Sequence, residues 1–242
     1  MSTSIAQMSV AELGGRTSVL VRQRADHVRL DELLRQVRRT RGEEQDAVLT
    51  KVCRLVFTHA FAEEAVLWPA ARKALPDGEE LTTEIEQEHQ EINELTAALE
   101  RSRHTDPGRD ELLQRMFHLL DSDVRDEEDE LFPRLRAALD DRQLRRLGLA
   151  WEAVRRIAPT RSHPVVARRP PGNIVAALPL SLIDRTRDNL DEVARRAPEP
   201  VASGSRAASR GLAVLAGAEE HIPPLTKGED PSTHSGRTEK EA

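Results

Sequence analysis

The chain has 242 residues, a formal charge of −6, no Tyr, two Trp, four Phe and a single cysteine, Cys53. That length suits one principal domain with appendages, the acidic balance argues against a nucleic-acid-binding protein, and one cysteine excludes an internal disulfide framework or a multi-cysteine zinc site and suits a reducing cytoplasm. With aromatics this scarce, Leu, Val, Ile and Ala must fill the core, as they do in helices packed face to face.

Residues 1–18, opening "MSTSIAQMSVAELGG", lack the basic start and apolar stretch of a secretory signal and read as a plain N-terminal segment. From residue 19 the spacing predicts four amphipathic helices. The first carries Leu20, His27 and Leu34 at heptad steps; the second carries Val52, Leu55, Val56, His59, Glu63, Val66 and Leu67. The third carries Leu81, Ile85, His89, Ile92 and Leu99, and the fourth Leu113, Met116, Leu120, Asp123, Val124, Glu127, Leu131 and Leu135. "RTRGEEQD" at 39–46, "LPDGEE" at 75–80 and "RSRHTDPGRD" at 101–110 separate them. Connections this short predict an all-α, antiparallel up-down four-helix bundle over residues 19–136. Pro69 and Pro133 fall late in their helices, where a missing N–H should kink or end them.

Beyond the bundle, Asp140 or Asp141 can cap an extension helix over 137–158, with Leu144, Leu147, Trp151 and Val154 at heptad-like steps. Residues 134–171 hold ten Arg against three acids, which reads as a solvated helix face. "PTRSHPVVARRPPG" predicts an extended linker within 159–197, followed by a further helix over 180–196 with Leu182, Ile183, Leu190 and Val193 at helical steps. The apolar run at 174–183 is too short to span a bilayer and contains Pro179, so no membrane association is expected. From Pro198 the composition turns to Ala, Ser, Gly, Pro and charge, and 198–242 is expected to be mostly disordered, with "AEEHIPPL" at 218–225 as a segment that can dock.

The chain repeats itself. "DHVRLDEL" at 26–33 and "EHQEINEL" at 88–95 share an order, and so do "HAFAEEAVLWP" at 59–69 and "DVRDEEDELFP" at 123–133. Both halves therefore carry the same two phrases, the signature of a duplicated helical hairpin. Residues four apart on a helix rise about 6 Å and share a face, so His59 with Glu63, and Asp123 with Glu127, can converge on one ion. His27 and His89 complete a set of six metal-capable side chains, each on an apolar stripe: His27, His59, Glu63, His89, Asp123 and Glu127. Buried carboxylates without partners cost several kcal/mol each, and a cation offsets that cost. His104, His118, His163 and His234 fail the stripe test or lie in loops and tail; Glu64, Glu128 and Asp31 sit beside the stripe, where they can hold a ligand's far side.

A ferritin-like site wants two Glu-x2-His motifs and only Glu86 to His89 fits, while the His-Glu-x2-His of zinc proteases is absent. The order His, His-x3-Glu, His, then the fourth helix's x3-Glu, with "EE-x2-L-[WF]-P" following, resembles the hemerythrin-like HHE cation-binding family over about residues 19–136. "APTRSHP" and "LIDRTRDNL" resemble an extension of bacterial members. The resemblance implies a non-haem centre of two iron ions held by His27, His59, Glu63, His89 and Glu127, with Glu63 and Glu127 bridging. Asp123 stands where the family has its fourth His, and Asn93 where true hemerythrin has another; fewer imidazoles favour the ferric state. The implied function is binding or turnover of small oxidants (O2, H2O2 or NO), with peroxide disproportionation or nitric oxide reduction as the enzymatic form. Two other classes fit: an iron- or oxygen-sensing module that engages a protein partner through the C-terminal tail, and a degenerate bundle with one metal or a purely structural site.

Overall fold

A computed structural model describes residues 3–219, 221–227 and 230–233. Its helices are α1 (Val19–Arg39), α2 (Gly42–Ala62), α3 (Trp68–Ala74), α4 (Gly78–Arg101), α5 (Arg109–Asp126), α6 (Phe132–Ala138), α7 (Asp141–Ile157), α8 (Gly172–Arg196) and α9 (Val201–Glu219). Among the described residues there is no strand, and no helix is long and apolar enough to cross a membrane. Ser18 starts α1 by accepting the Leu20 N–H, and Asp140 starts α7 in a reciprocal capping box with Gln143.

Two apolar clusters define the bundle. One gathers Leu20, Ala62, Leu67, Trp68, Ile85, Leu131 and Phe132; the other gathers Leu33, Leu34, Val48, Val52, Ile92, Leu99, Leu113 and Leu120. Along every one of the four helices the chain passes from one cluster to the other, and the direction of passage alternates, which is the antiparallel arrangement that the short connections predict. The crossing point falls at His27 in α1, His59 in α2, His89 in α4 and Asp123 in α5. All four are buried. The metal-capable residues thus lie midway along the bundle, walled off from solvent by hydrocarbon at both ends.

Pro69 and Pro133 act more specifically than by kinking. Between α2 and α3, and again between α5 and α6, the helix widens into a π turn, Glu63–Leu67 and Glu127–Leu131, in which Trp68 N–H bonds Glu63 O and Phe132 N–H bonds Glu127 O. Each proline follows directly. Having no N–H, it cannot bond the carbonyl four residues back and would clash with it in a regular helix; the wider turn relieves that clash. π turns of this kind concentrate at functional sites.

The extension covers the bundle. α7 packs on α1 and α2, and Gly148 lies so close to the backbone of Thr17 and Ser18 that a Cβ there would stand 2.0 Å from Thr17 O. The helix expected over 180–196 begins earlier, at Gly172, and runs through Pro179; its buried face is Ala176, Ala177, Leu180, Ile183, Asp184 and Asp188, while Leu182 faces solvent. The tail departs most from expectation. Val201–Glu219 is helical and lies along α8 with the small residues Ala202, Ser205, Ser209 and Ala216 buried. A stretch rich in Ala, Ser and Gly resembles a disordered one in composition, yet small side chains also let two helices approach closely. The Pro-rich end of "AEEHIPPL" docks on the chain itself: Leu225 is buried with Val166, Leu180 and Ile183, and its carbonyl accepts the Ala167 N–H at 3.0 Å. Residues 234–242, including His234, lie outside the described residues.

Candidate metal centre

The helical spacing delivers all six side chains to one interior space. His59 Nε2 stands 3.1 Å from Glu63 Oε1, and His27 Nε2 stands 3.1 Å from Glu127 Oε2. His89 Nε2 is 3.8 Å from Glu63 Oε2 and 3.5 Å from Asp123 Oδ1. Glu63 and Glu127 are fully buried, yet none of their four carboxylate oxygens is hydrogen-bonded, nor is Asp123 Oδ1. The short contacts to the imidazoles are close in distance but not aligned for donation. Nearly all buried polar atoms in folded proteins find a partner, so five orphaned carboxylate oxygens around three imidazole nitrogens form a cavity that fits a cation.

The donors group into two overlapping trios, each with its ligand atoms within 4.8 Å of one another: His27, His59 and Glu127, and Glu63, His89 and Glu127. Glu127 belongs to both. Asp123 belongs to neither, in keeping with a side chain shorter than an imidazole.

Each imidazole is held from behind. Glu128 lies 2.8 Å from His27 Nδ1, Glu64 lies 2.9 Å from His89 Nδ1, and Asp26 lies 3.2 Å from His59 Nδ1. Such contacts fix the ring so that Nε2 faces the site and make it a stronger donor. The repeated phrase now has a physical meaning. The first Glu of each doublet points into the site and the second reaches the imidazole of the other repeat, while the aromatic before proline stacks on that same ring: Trp68 on His89 at 6.4 Å, Phe132 on His27 at 6.2 Å. Trp151 of α7 meets His59 edge-on at 5.6 Å.

Asp26 escaped the sequence reading, which named Asp31 instead; Asp31 is on the surface, paired with Arg35. The signal was an acid directly before His in both repeats, but neighbours along a helix do not face each other, and Asp26 serves the ring of the next helix. By the same symmetry Glu88, before His89, should serve position 123. It finds no imidazole there. One of its oxygens is buried and unpartnered, and burial together with Asp123 and Asp126 pushes its carboxyl up to about 7.

Protonation follows from this crowding. Burial alone would lower the imidazoles, but Glu127 and Glu128 raise His27 to about 9, and carboxylates on both nitrogens hold His59 and His89 well above the usual range. Burial, then the charges of Glu63 and Asp123, push Glu127 up to about 8. Glu86 is not among the donors: its two oxygens accept from Arg72 at 2.6 Å and Arg169 at 2.7 Å. Asn93 faces away too, its Oδ1 accepting from Ser162 Oγ at 2.6 Å and the His163 N–H at 2.9 Å. His163 is buried against Asp184 at 3.0 Å, His104 is exposed and paired with Asp46, and His118 is exposed.

The family profile described as Hemerythrin HHE cation binding domain matches residues 18–135. An uncharacterized hemerythrin-like protein of Schizosaccharomyces pombe (strain 972 / ATCC 24843) is 26% identical over 135 residues, covering 55% of this chain and 66% of that protein. No solved structure matches the chain.

Proposed function

Through residues 18–135 the chain belongs to the hemerythrin HHE cation-binding family, and from that premise we propose that the bundle holds two non-haem iron ions and binds or turns over a small oxidant, O2, H2O2 or NO, in the cytoplasm. The carrying observation is the set of five buried, unpartnered carboxylate oxygens facing three imidazole Nε2 atoms. His27, His59 and Glu127 would hold one ion, and Glu63, His89 and Glu127 the other, with Glu127 common to both trios and Asp123 beside His89. Iron, when bound, supplies the one-electron chemistry that a small oxidant requires.

The chain's own residues set the access and the surroundings. A cavity of about 20 Å³ runs beside His27, His59, His89 and Asp123, walled by Leu30, Leu55, Val56, Leu120 and Val124. Its size admits a molecule of two or a few atoms. Asp26, Glu64 and Glu128 keep the three rings from rotating out of position. Protein purified from iron-supplemented medium should carry close to two irons per chain, the complement expected for two donor trios, with visible absorption that changes on adding peroxide. A folded, colourless, iron-free product rejects the proposal.

The position of Asp123 outside both trios favours a second reading, in which the centre keeps a single metal. Asp123→His would then raise the iron content from about one to about two per chain; an unchanged content removes this reading.

A further inference from the structure

The outer carboxylates are themselves held, by arginines from outside the four-helix bundle. Arg155 of α7 brings Nη1 within 3.8 Å of Asp26 Oδ2, and Arg168, in the linker before α8, brings Nη1 within 3.7 Å of Glu64 Oε1. Two chains of contact result: Arg155 to Asp26 to His59, and Arg168 to Glu64 to His89. Among the described residues no arginine lies within ion-pair reach of Glu128, which holds His27 alone.

Arg168 is the more deeply set of the two, while Arg155 is partly exposed and also pairs with Glu152 at 3.1 Å. Arg168 is 8% exposed, and its Nη2 donates to His163 O at 3.2 Å. The linker that carries it is pinned to the bundle on both sides: Ser162 and His163 bond Asn93, Gln90 bonds Pro164 O at 3.0 Å, and Arg169 bonds Glu86. Asn173 then accepts no freedom at its other end, donating to Arg168 O at 2.8 Å. Arg155 lies over the Trp151 ring at 5.2 Å, the same ring that meets His59 edge-on.

We propose that Arg155 and Arg168 are positioning residues through which the C-terminal extension tunes the metal centre. The inference rests on the iron-binding reading above. A carboxylate on Nδ1 pushes electron density through the ring towards Nε2 and the metal. A cation 3.7–3.8 Å away on the other side of that carboxylate draws charge back, most strongly at Arg168 and Glu64, where both side chains are buried. The imidazole becomes a weaker donor, and the lower oxidation state of iron is favoured. The two arginines thus oppose the bias towards the ferric form that a carboxylate-rich centre carries.

The test uses the full chain loaded with iron, with the midpoint potential read from the visible absorption during a redox titration. Arg168→Met should shift the midpoint to a more negative value at unchanged iron content, and Arg168→Lys should stay near the parent. In a Glu64→Gln background Arg168→Met should add no further shift, because its effect passes through Glu64. A midpoint identical to the parent's in iron-loaded Arg168→Met, or an undiminished shift in the Glu64→Gln background, overturns the inference and leaves the iron reading intact. Should Arg168→Met fail to fold, Arg155→Met with Asp26→Asn is the matching pair on the other side, judged by the same outcomes. A parent protein without iron overturns both readings.

Discussion

In the absence of a cation, protons must occupy the place between the imidazoles and the carboxylates. His27, raised to about 9, and Glu127, raised to about 8, both bind protons more tightly in the folded chain than in the unfolded one. A group of this kind stabilises the fold fully below its unfolded pKa, about 6.5 for His and 4.3 for Glu, and loses that contribution as pH climbs through the folded value. His59 and His89, shifted in the same direction, act likewise. The melting temperature of the metal-free protein should therefore fall between about pH 5 and pH 9, and a flat profile by scanning calorimetry would contradict this. Because a metal displaces those protons, affinity measured against a competing chelator should rise over the same range. Asp123→His offers a second test at this scale, since it places a ring where Glu88 can hold it; adding Glu88→Gln to that variant should weaken its metal binding by about 10- to 100-fold, the usual cost of removing a ring's outer partner. The six inward residues were legible in the sequence because steps of three and four fix a helical face without knowledge of neighbours. Asp26, Arg155 and Arg168 were not, because each serves a ring on another element, and only the packing brings them together.

The repeated elements owe their shape to the prolines. Pro133 has no N–H to offer the carbonyl four residues back, and the π turn Glu127–Leu131 accommodates that lack while presenting Glu127 to the interior. Pro133→Ala restores an N–H, and with it the option of a regular helix through this stretch. Such a helix would rotate Glu127 relative to His27. The expected result is a protein at least as heat-stable as the parent that holds its metal less tightly, seen as faster loss to a chelator. Faster loss together with a lower melting temperature would instead indicate general damage. Sequence patterning revealed the breaks at Pro69 and Pro133 but not their geometry, since an inserted residue in the hydrogen-bond ladder leaves the apolar spacing almost unchanged. Composition misled at α9 for a related reason: Ala, Ser and Gly report low hydrophobicity whether they are solvated or, like Ala202, Ser205 and Ala216, pressed against α8.

At the scale of the molecule, the bundle and its extension share a boundary of backbone contacts as well as ion pairs. α7 reaches the start of α1 only because Gly148 has no side chain, with Thr17 O 2.0 Å from where a Cβ would lie. Gly148→Ala should cost about 1–3 kcal/mol, the range for forcing one extra carbon into a packed contact, read as a lower denaturation midpoint; an unchanged midpoint would show that α7 can shift without loss. The four-helix arrangement was legible because short loops leave few alternatives, whereas the folding back of α8, α9 and Leu225 over one side depends on long-range contacts that no local pattern records. The crossing of the glutamate doublets has a last consequence. Glu64 and Trp68 of the first hairpin steady His89 of the second, and Glu128 and Phe132 of the second steady His27 of the first. Neither hairpin is self-sufficient, so a substitution in one is felt first by a ring in the other, and the two copies are bound to diverge in step, as interlocking keys rather than as spare parts.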